Sequence, residues 1–376
     1  MRIRSNLPAL LLSLVMLALP AAAQVSRIVI PAGSPEDLAL QAINNEQDAQ
    51  RRIALYQEFL GKFPDNPAAV AYGNWQLSQL YLAAGNATQA LQAGDKAVAA
   101  LPGEMDVLSS QATVAQQMKD YSKVLDYAAR GGAAYQGIGK QPKPAGMSDS
   151  DFAAQSSRER EEARSNYEYM EGTAYTAIAS ATDPKSRMSY IERFNAAFPD
   201  SRYRDQVNQY AMISLQQMND QAGLIAFGEK TLAADPDNVT TLLLLAETMA
   251  EDAKMRPKAL EHARKAVALS KGNEGSGDAQ KELLAGSARS VLGFVLAMQG
   301  NYQAAIPELR AAAGPLKEQD AAESRVLYCL GLSYAKLRSL DQARMYLTQA
   351  AAIPGAYQTH ARSLLAQVNA LRSKDH

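Results

Sequence analysis

YQEFLGKFPDN at residues 56–66 and IERFNAAFPDS at residues 191–201 are near copies of each other. The likeness continues upstream: Asp48, Arg52, Phe59, Phe63, Pro64 and Asp65 return as Asp183, Arg187, Phe194, Phe198, Pro199 and Asp200, each 135 residues on. One stretch of helix ending in Phe-Pro-Asp therefore occurs twice. Repetition of this kind marks a chain assembled from stacked units rather than folded around a single core. Pro64, Pro102, Pro199 and Pro236 each read as the stop of one unit and the opening of the next, because proline lacks the N–H that would continue a helix.

Three further segments fix the period. Leu77, Tyr81, Gly85, Ala90, Ala97 and Pro102 share their intervals with Leu292, Leu296, Gly300, Ala305, Ala312 and Lys317. Leu330, Tyr334, Arg338, Ala343, Ala350 and Gly355 repeat them once more. Small residues in a first helix (Ser78, Gly293, Gly331) and in a second (Ala90, Ala305, Ala343) let two helix backbones approach closely. Leucines and tyrosines at i, i+3 and i+4 fill the groove beside them. Gly85 and Gly300 suit the turn between the two helices, where a left-handed residue is needed.

This pattern, with Leu-Gly at 292–293 and 330–331, resembles the tetratricopeptide repeat (TPR), a unit of about 34 residues folded as two antiparallel helices. The resemblance implies an all-α, right-handed α-solenoid of about eight such pairs, starting near residues 33, 71, 105, 168, 205, 239, 286 and 324. The small position of three first helices holds Leu40, Tyr175 and Met212, which predicts looser packing or a shifted register there. A final amphipathic helix over 357–373, YQTHARSLLAQVNALRS, is expected to cap the stack. The Phe-Pro-Asp helix ends also resemble repeats of bacterial envelope proteins in the outer-membrane assembly and Tol–Pal-associated families.

The expected organisation is a signal peptide over 1–23 and repeat blocks over 24–136, 152–270 and 281–376, separated by a loop at 137–151 and a flexible link at 271–280. MRIRSN carries two arginines, a 13-residue apolar run follows, and Ala21 and Ala23 precede Gln24. That is the three-part layout of an export signal, and its apolar run is short of the ~20 residues of a spanning helix. Removing it with Arg2 and Arg4 takes the formal net charge from −1 to −3, which disfavours nucleic acid as a partner. LLLLA at 242–246 is too short for a membrane span. GIGKQPKPAGMSDSD at 137–151 reads as a loop ending in Ser148 or Asp149 as an N-cap. The charged helix after it is expected to carry pairs such as Arg158 with Glu162.

Chemistry is sparse. Cys329, the single cysteine, lies on an apolar helix face and reads as a buried structural thiol. The three histidines are far apart, and no zinc spacing, phosphate loop, calcium loop or Ser-His-Asp pattern is present. His262 reads as part of a solvated helix face, and the carboxylates Glu161 and Glu162 as surface. No enzyme activity, cofactor or metal is expected.

Binding remains, and the stack suggests where. The first helix of each pair should line a concave groove, placing Tyr72, Trp75, Gln79, Thr113, Gln116, Tyr169, Thr176, Gln209 and Gln216 on it. Leu82, Asp106, Ser109, Gln206 and Ile213 follow by the same register. The lining lacks the Lys/Arg/Asn clamp with which similar repeat proteins hold a C-terminal carboxylate. Its amides and hydroxyls suit an extended peptide, and its aromatic rings a glycan. The expectation is a periplasmic or secreted scaffold that holds a protein or peptide partner in envelope assembly or secretion, with a glycan or small-ligand binder as the alternative. Trp75 has two readings: beside Tyr72 in the groove, or in the core after a one-residue slip, because the repeat carries its large aromatic where Asn74 stands. N-terminal sequencing of the exported protein should begin at Gln24 or within a residue or two; recovery of the intact Met1 form from membranes overturns the leader.

Overall fold

The computed structural model describes residues 27–372, so the leader read from residues 1–23 lies outside them. The described residues contain seventeen α-helices and no strand. In chain order the pairs are α1 (Pro35–Asn44) with α2 (Ala49–Lys62), α3 (Pro67–Ala83) with α4 (Ala87–Ala100), α5 (Met105–Gln117) with α6 (Tyr121–Gly137), and α7 (Asp149–Ser180) with α8 (Pro184–Ala197). They continue with α9 (Arg204–Gln217) and α10 (Gln221–Ala234), α11 (Val239–Ala250) and α12 (Arg256–Ser270), α13 (Ala279–Met298) and α14 (Tyr302–Ala313), and α15 (Asp320–Lys336) and α16 (Leu340–Ala352). α17 (Gln358–Arg372) is unpaired and closes the series. The fold is thus a TPR-like all-α solenoid of helix pairs in which elements touch mainly their chain neighbours.

The chain forms two compact units, Met1–Ala211 and Met212–His376. The first holds α1 to α8 and the start of α9; the second holds the rest. The loop at 138–148 lies inside the first unit, and the segment 271–278, which begins with a short 3₁₀ turn, lies inside the second.

The turn within a pair is one motif used repeatedly. Gly85 (φ 78°), Lys119 (φ 57°), Asn219 (φ 54°), Gly300 (φ 79°) and Arg338 (φ 61°) all adopt left-handed backbone. In each case the following N–H reaches back to the carbonyl five residues before it: Asn86 to Tyr81 at 2.8 Å, and Asp120 to Ala115, Asp220 to Leu215, Asn301 to Leu296 and Ser339 to Tyr334 at 2.9 Å. This bond satisfies a carbonyl that the helix end would otherwise leave unpaired.

The 135-residue echo also has a structural cause. Asp48 and Asp183 are N-caps, accepting the N–H of Arg51 and of Ser186 at 2.8 Å. Phe59 and Phe194 are buried, each ring 5.1 Å from the next phenylalanine, Phe63 or Phe198. Those second phenylalanines end the helices in the same conformation, φ −126° and ψ 51° against φ −130° and ψ 65°. Aspartate starts the helix, one phenylalanine anchors it, the other turns the chain out, and proline keeps it out.

Small residues sit where the pairs close. Ala90, Ala305, Ala343, Ser78 and Ser333 are fully buried. A methyl group added at Gly293 would lie 2.5 Å from Leu309 Cγ, and one at Gly331 2.6 Å from Leu347 Cγ. Leu40 and Met212 are nonetheless buried at the equivalent positions, and the half-buried Tyr175 stacks flat on Tyr203 with ring centres 4.3 Å apart. α17 buries Ala361 and Val368 against α15 and α16, capping the apolar end.

Ser148 caps α7, its hydroxyl accepting the N–H of Asp151 at 3.1 Å, and burial pushes the Cys329 thiol up to about 12. Two expectations are corrected. His262 is buried, not solvated, with Nε2 3.3 Å from Glu229 Oε1, because α12 turns that face toward α10. Glu162 pairs with Arg27 rather than with Arg158, because the N-terminal segment reaches α7.

A close approach of helix backbone supplies a test. A methyl group at Gly132 would lie 2.6 Å from the Ala197 carbonyl oxygen, whereas exposed Gly61 on α2 has nothing within 4 Å. Gly132→Ala should cost ~1–3 kcal/mol of stability by overpacking, and Gly61→Ala should gain up to ~1 kcal/mol from helix propensity. Thermal midpoints of the two variants should move in opposite directions.

Candidate functional site

The first unit contains a cavity of about 450 Å³. Tyr72 and Trp75 of α3 form one wall, and the start of α5 contributes Glu104 and Asp106. α7 supplies Glu159, Glu162 and Asn166 from the N-terminal extension that makes it 32 residues long. Met105 and Ala163, with Arg27 and Ile28 preceding α1, complete the lining.

Each element is placed by local chemistry. α5 begins at Met105 because Glu104 is its N-cap, accepting the Asp106 N–H at 3.4 Å. α5 is tied to α7 by polar bonds across the groove: Asn166 Nδ2 donates to Asp106 Oδ1 at 2.7 Å, and Ser109 Oγ donates to Asn166 Oδ1 at 3.0 Å. One turn further on, the hydroxyls of Thr113 and Tyr169 share a bond of 2.7 Å. On α3, Asn74 occupies the buried position and donates to the Val70 carbonyl at 2.9 Å. Trp75 is therefore not slipped into the core. It is half-buried and meets Tyr72 edge-on, with ring centres 6.5 Å apart and planes at 84°. Its Nε1 is shielded from solvent and has no hydrogen-bond partner among the described residues.

Residues 27–30 run beside this cavity without helical structure, Arg27 and Ile28 lining it, and their exposure alternates residue by residue, as in an extended chain. The Ile28 N–H donates to Glu104 Oε2 at 2.7 Å, Arg27 pairs with Glu162, and Ile30 packs on the cluster of Leu40, Ile43 and Tyr56. Burial holds the Glu104 carboxyl above the usual carboxylate range, partly offset by the N–H groups of Ile28 and Asp106.

The residues expected in one groove are distributed. Tyr72 and Trp75 line the cavity just described, and Thr113 and Tyr169 bond to each other. Gln216 lines a separate cavity of about 270 Å³ in the second unit, beside Asp220, Glu247 and Glu251. Gln79, Thr176 and Gln209 are exposed and Gln116 is half-buried; none of the four lines either cavity. Missed from the sequence were Arg27, Ile28, Glu104, Glu159 and Asn166, and Glu162 was read as plain surface. Glu104 alone had a local signal, following Pro102 where a unit opens. Among the described residues no cluster of His, Cys, Asp or Glu could hold a metal ion, and no helix is long and apolar enough to cross a membrane.

No family model matches the chain, and no curated protein matches it. Among solved structures, the crystal structure of the P58(IPK) TPR domain is similar over 91% of this chain and 99% of its own, at 11% identity and a TM-score of 0.33. At that score the likeness does not by itself assign the fold, which rests on the helix pairing.

Half-burial of Trp75 has a measurable consequence. Trp75→Ala should cost less stability than Phe59→Ala, whose fully buried ring is worth ~3–5 kcal/mol. Denaturation midpoints of the two variants check this; equal losses would put the indole in the core.

Proposed function

We propose that the protein is a non-catalytic, exported scaffold that captures an extended segment of a protein partner in the groove of its first unit. The observation that carries this reading is the groove's own geometry. It already accommodates a non-helical stretch of backbone, whose N–H meets the Glu104 carboxylate 2.7 Å away, beside an aromatic wall. Extended peptides are recognised in this way, main-chain bonds giving affinity and side-chain pockets giving selectivity. Tyr72 and Trp75 supply rigid contact area, as binding anchors do. The Cys329 thiol is buried and its pKa is raised, so it is not poised as a nucleophile.

Export rests on the three-part pattern of residues 1–23, and with it a periplasmic place in envelope assembly or secretion. A glycan is the second reading, favoured by the paired rings of Tyr72 and Trp75.

Site-specific photo-crosslinking in cells separates the two. A crosslinker at Trp75 or Asn166 should yield one protein adduct that is missing when the crosslinker stands at exposed Gln92 on α4. Equal adducts from both faces would remove the groove as the site. Binding of purified peptidoglycan fragments with no protein adduct would establish the glycan reading instead.

A further inference from the structure

Within that reading, the cavity of the first unit shows what kind of segment it takes. Its described lining carries four carboxylates, Glu104, Asp106, Glu159 and Glu162, and one cation, Arg27. Two of the four have neutral partners: Asp106 accepts from Asn166, and Glu159 accepts from Gln155 at 2.8 Å. Glu104 and Glu162 are engaged by the N-terminal segment, the first through the Ile28 N–H and the second through the Arg27 guanidinium. Glu104 is only 6% exposed. A carboxylate so deeply placed needs donors, and the Ile28 amide is one that it has from outside its own helix start.

Among the described residues, the contacts of the segment are few. The ion pair of Arg27 with Glu162 is open to solvent on both sides, Val29 is 66% exposed, and the inward contacts are those of Ile28 and Ile30. Exposed ion pairs are weak and screened by salt. The tether to α1 is only residues 31–34 long. Such a short link keeps the segment at a high effective concentration over the groove, in the ~mM range, without tight intrinsic binding.

We propose that residues 27–30 are a resident, displaceable occupant of this groove, and that the partner segment they stand in for is an extended peptide carrying a basic side chain opposite Glu162 followed by an aliphatic residue whose N–H meets Glu104. This proposal rests on the reading that the groove captures a protein segment. A partner must outcompete the tethered segment, so the resident sets a threshold that only a basic, extended ligand passes.

The probe is an acetylated synthetic peptide of residues 26–32, Ser-Arg-Ile-Val-Ile-Pro-Ala, together with the same peptide carrying Glu in place of its Arg. Trp75 is the only tryptophan of the chain, so its fluorescence reports binding at this groove. In the full-length chain, Arg27→Ala with Ile28→Pro removes the cation and the amide donor that hold the segment. That variant should bind the basic peptide at least ~10-fold more tightly than the wild type, as expected when a tethered competitor is released. Its affinity for the Glu-bearing peptide should be at least ~10-fold weaker, and adding Glu162→Gln should erase most of that preference. In the wild-type chain, which needs no altered fold, hydrogen exchange at residues 27–30 should accelerate when the basic peptide is added in excess. Equal peptide affinity in wild type and variant, equal affinity for the two peptides, or unchanged exchange overturns the proposal. Partner adducts from Trp75 that persist under any of those results leave the scaffold reading standing on its own.

Discussion

The close contact between the two helices of each pair is what the rest of the structure depends on. Helix backbones approach most nearly where the facing residues are small, and in three pairs those positions hold Ser78 and Ala90, Gly293 and Ala305, and Gly331 and Ala343. The contact is made between residues close in the chain, so each pair closes across one short turn and leaves an apolar face for the next pair. In five of the eight pairs the left-handed residue at 85, 119, 219, 300 or 338 and the back-reaching bond after it make that turn the same. A terminal pair would still expose its apolar face, and α17 covers it at the C-terminal end.

A stack of such pairs presents first-helix side chains in a row, but α7 breaks the regularity of the first unit. Its 32 residues extend it well before its pairing with α8, and the extension brings Glu159, Glu162 and Asn166 to the start of α5. The result is a cavity with a wall that the repeat alone does not provide. Polar bonds between α5 and α7 hold this wall in place, from Asp106 and Asn166 to Thr113 and Tyr169. The groove is therefore built from fixed side chains, and a ligand entering it does not have to order them first.

In the proposed function, charge would give the groove its selectivity. Four carboxylates against one cation favour a basic ligand, and the buried Glu104 rewards a donor that can reach it. The second unit differs, and its cavities should not be read by analogy. There the deeply placed Arg325 pairs with Glu247 and donates to Ser290 Oγ at 3.2 Å, so it is already committed within the unit.

What the sequence by itself determined is set within one unit's length: the series of about eight helix pairs, the turns at Gly85 and Gly300, the phenylalanine helix ends and the capping helix. These features depend on hydrogen bonds and contacts between residues a few turns apart, which periodicity and residue type encode directly. Even there residue type had limits, since Lys119 and Arg338 adopt a conformation that glycine would advertise and they do not. Tertiary structure alone decided the site. Ile28 meets Glu104 from 76 residues away and Arg27 meets Glu162 from 135, and no periodic pattern states which distant element will face which. The same reason separates the two fates of polar helix positions. Helical spacing showed that His262 and Glu162 each lie on a face of a helix, but only the packing of α10 beside α12, and of the N-terminal segment beside α7, decided what each face would meet.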